Sequence, residues 1–189
     1  MSEPSAPTVP RKPKDTRYRA NLLVNAYLEA VAGVFALRLP EVQVIVREKT
    51  PTMAVASSYP NEAVIIDAKR IVDECKLAGH EIEATLNQIS GMFVAAMWDT
   101  LVSHANYDKI STEPEVQFFR HLRNACGHDG RWNFSKLSHV AQWRDKELTE
   151  AHAGQVVFGG LLTQGDVVVL VTDIDKQYFE RPPTAKNDA

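Results

Sequence analysis

The sequence predicts a mainly α fold, a helical bundle of four to five helices with a small β-hairpin near the C-terminal end. Three observations carry that prediction. Apolar residues recur at spacings of three and four up to about residue 127. Capping residues and prolines punctuate those stretches. Only after residue 128 do short β-prone runs broken by glycine appear. The frame is an ordinary globular one: 189 residues with 44% hydrophobic and 24% charged side chains suit a single folded domain.

Residues 1–14 hold four prolines, three basic residues and almost nothing large and apolar, so burial there cannot offset the entropy of ordering. A disordered tail is expected, and likewise at 181–189, leaving 15–180 as a single helical domain. The first helix is expected over 16–39, where Leu23, Tyr27, Ala30, Val31 and Val34 form one face and Pro40 closes it. In 41–60, Val42, Val44 and Val46 alternate with Gln43, Ile45 and Arg47 before the breakers Pro51 and Pro60. That stretch reads as a loop with at most a short hairpin. A second helix over about 62–78 would be capped by Asn61 and bury Val64, Ala68, Ile71, Val72 and Cys75.

The strongest periodicity runs from about 80 to 106, through Ile82, Leu86, Ile89, Phe93, Ala96, Met97 and Leu101. Thr112 and Glu115 then have capping-box spacing around Pro114, starting a helix over roughly 113–127 that Gly127 ends. Gln155–Phe158 and Leu161–Gln164 flank Gly159-Gly160, a hairpin signal. The run Val167–Val171 has strand propensity. However, Val167, Leu170, Val171, Ile174 and Tyr178 sit at helical spacing behind a cap at Asp166, and the helix is the preferred reading of 167–179.

Several function classes drop out. A net charge of −3 argues against a general nucleic-acid coat protein, though not against a local basic patch. Cys75 and Cys126 make neither a disulfide framework nor a C-x-x-C clip. No apolar run approaches the roughly 20 residues of a membrane helix, and MSEPSAPTVPRKPKD lacks the apolar core of a signal peptide. The expectation is a soluble, cytoplasmic protein of a reducing compartment. His121, Cys126, His128 and His139 fit no zinc spacing and lack a carboxylate, so no metal site or cofactor is expected. Ser135 and Ser138 near His139 lack a nucleophile elbow, and no Walker-type glycine loop occurs. Cys126 reads as a small buried spacer and His104 as a core-edge or interface histidine.

The chemistry concentrates in Gln117–Arg144. Arg120, Arg123, Arg131, Lys136 and Arg144 oppose only Asp129, so five positive charges less one negative leave +4, and −7 for the rest of the chain. Trp132, Phe134 and Trp143 are interleaved with them. Basic groups among aromatics suit a phosphate backbone with stacked bases. Equally, the tryptophans can be core and the arginines solvated.

Within this stretch, Arg123-Asn124-Ala125-Cys126-Gly127-His128 places an Arg, a polar residue and a His five positions on at the end of a helix. This resembles the signature of the HEPN (higher eukaryotes and prokaryotes nucleotide-binding) superfamily of small helical bundles. Trp143-Arg144, Gly154, Gly165-Asp166 and the apolar stretch ending Asp173-Ile174 resemble the plasmid-encoded bacterial branch of unknown function. The resemblance implies a metal-independent endoribonuclease, as in toxin–antitoxin and phage-defence systems. It would act as a homodimer with paired motifs lining one cleft, and an antitoxin or inhibitory protein would be a partner. Arg123, Asn124 and His128 would then be the catalytic set, with Arg120, His121, Arg131 and Trp132 as RNA contacts.

The residue types suit RNA cleavage. An imidazole can take the 2′-hydroxyl proton or supply one to the leaving 5′-oxygen, and a guanidinium offers forked donors to the phosphate. Asn124 would orient either group. The adjacent 2′-hydroxyl is the nucleophile, leaving a 2′,3′-cyclic phosphate and a 5′-hydroxyl. On an ideal helix Arg123 and His128 lie about 140° apart. Either the helix breaks at Gly127, or two motifs meet across a dimer, as the resemblance implies. Three readings stay open. In one, Arg123 caps a helix end or pairs with Asp129, and His128 serves the helix dipole. In another, the domain is a catalytically silent RNA-binding or protein-interaction module. In a third, it is a toxin masked by a partner, with 1–14 as the candidate docking segment.

Overall fold

A computed structural model describes residues 16–49, 53–56, 63–74 and 79–179; both expected tails lie outside the described residues, as does Asn61. The helices are α1 (Thr16–Ala36), α2 (Pro40–Lys49), α3 (Ala68–Glu74), α4 (Gly79–Val102), α5 (Tyr107–Ile110), α6 (Pro114–Cys126) and α7 (Gln164–Tyr178). The antiparallel pairs are β1 (Met53–Ala56) with β2 (Ala63–Ile66), and β3 (Gln142–Trp143) with β4 (Lys146–Glu147). The mainly helical fold with a small hairpin toward the C-terminal end is as expected; the number of helices is larger, because short ones punctuate the connections. Among the described residues, no single helix is long and apolar enough to cross a membrane.

The 24-residue α4 is the axis of the bundle, about 36 Å long. It packs against α1, α6 and α7. Tyr27 of α1 stacks on Phe93 of α4 with ring centroids 4.6 Å apart. The Tyr27 hydroxyl reaches Ser90 Oγ at 2.9 Å and donates to the Gln164 carbonyl at 3.2 Å, tying three helices together. α6 buries Val116, Phe118, Phe119, Leu122 and Ala125. Each large apolar side chain so buried contributes about 1.5–3 kcal/mol. Phe118 meets both tryptophans that follow: Trp132 edge-on at 5.8 Å and Trp143 at 6.2 Å.

Five local expectations are corrected. Pro40 does not close one long helix. α1 ends at Ala36 and Pro40 opens α2, nearly perpendicular to α1, a first-turn position where proline's missing N–H costs nothing. The alternating valines of 42–46 are therefore helical, with Glu41 in the first turn and Arg47 and Lys49 in the last complementing the dipole. The expected helix over 62–78 begins later, at Ala68, and Cys75 lies outside the described residues. Ala63–Ile66 pairs with Met53–Ala56, and Asp67 begins α3 by accepting from the Arg70 N–H at 3.1 Å. At α6, Glu113 rather than Thr112 is the cap residue and no side chain caps it; Pro114 occupies the first turn as expected. Finally, the hairpin forms at 142–147, whereas Gly159-Gly160 makes a tight turn with only an isolated bridge between Phe158 and Leu162.

That turn requires its glycines. A Cβ on Gly160 would stand 2.5 Å from the Val156 carbonyl oxygen. Gly160→Ala should therefore cost about 1–3 kcal/mol, read as a lower midpoint in urea denaturation; an unchanged midpoint would contradict the packing described. α7 starts three residues earlier than anticipated: Thr163, not Asp166, is the cap, and Asp166 in the first turn completes a capping box with it. It buries Val167, Leu170, Val171 and Ile174, so burial of one face overrides the strand propensity of the valine run.

The β3–β4 hairpin is fastened to α7 by Asp173. Its Oδ2 accepts from Trp143 Nε1 at 2.9 Å and from Arg144 Nε at 2.8 Å, while Oδ1 accepts from Arg144 Nη2 at 3.1 Å. Arg144 holds a left-handed backbone, φ 54°, to make this fork. The Arg144 guanidinium, chiefly through its hydrogen bonds, and the Trp143 indole hold the Asp173 carboxyl below its ordinary range against the opposing effect of burial. A carboxyl lowered by folding stabilises the fold above its unfolded pKa, and that stabilisation is lost as pH falls through the folded value. Asp173→Asn should thus lower the melting temperature most near pH 7. The gap to wild type should narrow below about pH 4; a gap independent of pH would contradict the ion pair's contribution.

Candidate nucleic-acid interface

Helix α6 sets out the motif. Its buried face leaves Arg120 and Arg123, three residues apart, exposed on the opposite side, with His121 and Asn124 on the flank. Gly127 is the C-cap, its N–H bonded to the carbonyls of Arg123 at 3.3 Å and Asn124 at 3.1 Å. The His128 N–H then bonds the Ala125 carbonyl at 2.9 Å, in a tightened last turn. Asp129 (φ 55°) and Gly130 (φ 67°) follow in left-handed conformation and reverse the chain. The helix thus ends between Arg123 and His128, and the ideal-helix angle of 140° does not apply to them.

Arg123 lines a groove of about 280 Å3 together with Cys126, Gly127 and the α4 residues Gln88, Gly91, Met92 and Ala95. The two helices touch here: a Cβ on Gly91 would meet Cys126 Cβ at 3.6 Å, an ordinary van der Waals contact. Met92 is 69% exposed, the most exposed large apolar side chain among the described residues. The exposed His128 is not in the groove lining but stands one residue beyond it, after Gly127. Among the described residues, the side chains of Arg123, Asn124 and His128 make no hydrogen bond, ion pair or ring contact. The alternative pairing of Arg123 with Asp129 is not formed.

The other sequence candidates divide. Arg120 is exposed on the same face as Arg123. His121 is half-buried, packed edge-on against Phe134 at 5.1 Å, with Nδ1 buried and unpartnered. Burial, and then the Arg120 charge, lower its pKa and favour neutral imidazole. Arg131 is exposed but donates through Nη1 to the Gly154 carbonyl at 2.9 Å. Trp132 is corrected: at 1% exposure, against Phe118, it has no ring face to offer a base. Trp143 is core as well, and Arg144 belongs to the Asp173 fork, so the surface charge of this stretch rests on Arg120, Arg123, Arg131 and Lys136. Burial pushes the Cys126 thiol up to about 11, which keeps it protonated at neutral pH and suits a spacer.

The α4 wall of the groove, Gln88, Gly91, Met92 and Ala95, carries no sequence expectation. An isolated glycine inside the strongest helical pattern, Gly91, was the available signal, since such a glycine commonly marks close packing or function. Comparison with known proteins finds no matching family model, no similar curated protein and no similar solved structure.

Proposed function

We propose that the chain is a metal-independent endoribonuclease of HEPN type. It would cleave RNA by 2′-hydroxyl attack to leave a 2′,3′-cyclic phosphate and a 5′-hydroxyl, with a role as a toxin or defence effector. The observation that carries this reading is that Arg123, Asn124 and His128, the residues of the motif, are all accessible and all unused by the fold. Side chains held for structure would be capped or paired, as Arg144 and Asp173 are.

In this reading Arg123, beside the groove, donates to the non-bridging oxygens of the scissile phosphate, where charge builds in the transition state. His128 moves the proton of the 2′-hydroxyl or of the leaving 5′-oxygen. Asn124 orients the phosphate. Arg120 and Arg131 supply the positive field along the strand. Two chains would place their motifs on one cleft, and the exposed Met92 and Ala95 beside Arg123 give that pairing an apolar rim.

The test is cleavage of a mixed RNA by purified protein in EDTA, with Arg123→Ala and His128→Ala alongside. Wild type should cut and both variants should not. Folded wild type that leaves RNA intact would instead point to a silent binding module. Gel filtration at micromolar concentration should give a dimer; a strict monomer would remove the shared cleft.

A further inference from the structure

The wall of α4 that faces the end of α6 continues past the Arg123 groove. Beyond Gln88, Gly91 and Cys126, which belong to both, lies a second cavity of about 230 Å3. It is bounded by Ala84 and Asn87 on α4, by Asp129 and Gly130 in the turn, and by Val156 and Phe158. The volume is below the roughly 300–1,000 Å3 of pockets for drug-sized ligands and suits one planar ring system.

The turn that bears Asp129 is pinned on three sides. Gly130 N–H bonds the Ala125 carbonyl at 3.0 Å, Arg131 N–H the His128 carbonyl at 3.1 Å, and Val157 N–H the Gly130 carbonyl at 2.9 Å. Asp129 itself sits in a left-handed conformation that side chains seldom adopt. Among the described residues its carboxylate has no hydrogen bond or ion pair, although Arg123, His128 and Arg131 are neighbours in sequence. Across the cavity, Asn87 Oδ1 accepts from Gln164 Nε2 at 2.8 Å. That bond fixes the amide and leaves the Nδ2 donors for a ligand.

A carboxylate accepts two adjacent donors, and an amide N–H beside it supplies one donor. Guanine carries the complement on one edge: N1–H and N2–H as neighbouring donors, next to the O6 acceptor. Adenine, cytosine and uracil have no two adjacent donors on that edge. Sequence-specific readout of RNA works on the Watson–Crick edges of bases splayed out of single strands.

We propose that this cavity is a guanine subsite, in which Asp129 accepts from N1–H and N2–H, Asn87 donates to O6, and the attached phosphate lies toward Arg123. The inference rests on the ribonuclease reading for its RNA, but its chemistry is testable without cleavage. Calorimetric titration with the 3′-monophosphates of guanosine, adenosine, cytidine and uridine should show guanosine bound about tenfold or more tightly than the others. Asp129→Asn, which keeps the size and tolerates the left-handed backbone, should erase that preference. Arg123→Ala should weaken all four ligands alike. Mapping cleaved ends should likewise show guanosine at one fixed position beside the cut in wild type and not in Asp129→Asn. Equal binding of the four nucleotides, or a guanosine preference that survives Asp129→Asn, would overturn the subsite. Guanosine selectivity without RNA cleavage would uphold the subsite and reject the ribonuclease reading; cleavage with no guanosine selectivity would do the opposite.

Discussion

Replacing His128 by alanine is expected to slow RNA cleavage by about 10²–10⁴-fold, the usual contribution of a positioned general acid or base. Arg123→Ala should cost about 10²–10³-fold, as loss of a preorganised donor to the transition state does. Neither change should disturb the fold. Both side chains are exposed and make no contact that the native state depends on. Surface substitutions of that kind stay within about 0.5 kcal/mol, which is about 1–2 °C in melting temperature at this chain length. Loss of cleavage with an unmoved thermal transition separates a chemical role from a structural one. Parallel loss of stability would mean that the end of α6 needs these side chains to hold its turn.

Trp132→Ala should behave in the opposite way. The indole is buried, stacked edge-on against Phe118, and large-to-small replacement at such a site costs about 3–5 kcal/mol. That is at least a fifth of the roughly 5–15 kcal/mol holding a typical domain together. The melting temperature should drop by about 6–20 °C. Trp132→Phe should cost much less, because the indole Nε1 is buried without a partner and its removal breaks no hydrogen bond. A tryptophan that stacked on RNA would show the reverse pattern: weaker RNA binding on replacement by alanine, with stability intact.

Trp132 also marks the boundary of what the sequence makes legible. Composition and spacing place a tryptophan beside arginines, but they do not say which side of the chain faces inward; that depends on the turn at Asp129 and Gly130 and on Phe118 across the core. Where periodicity is long, the reading holds: α4, α6 and the helix over 164–178 all lie where their apolar spacings put them. Where elements are short it does not. At 41–66, β-branched residues serve a helix in one segment and a strand in the next, because neighbours rather than propensity decide. The motif was readable as residue types at a spacing, whereas the wall it faces was not. Gln88, Gly91 and Met92 come from α4, some thirty residues upstream, and only tertiary packing brings them beside Arg123.

The proposed cleavage runs through the substrate's own 2′-hydroxyl, with Arg123 and His128 and no metal. The most direct measurement uses a short single-stranded oligonucleotide in EDTA, made once as all RNA and once with a single 2′-deoxy substitution at the mapped cleavage position, with product ends identified by mass. The proposed reaction should give a 2′,3′-cyclic phosphate and a 5′-hydroxyl from the all-RNA strand, and no cut at the substituted position. Cleavage at the 2′-deoxy position, or products ending in a 3′-hydroxyl and a 5′-phosphate, would contradict it.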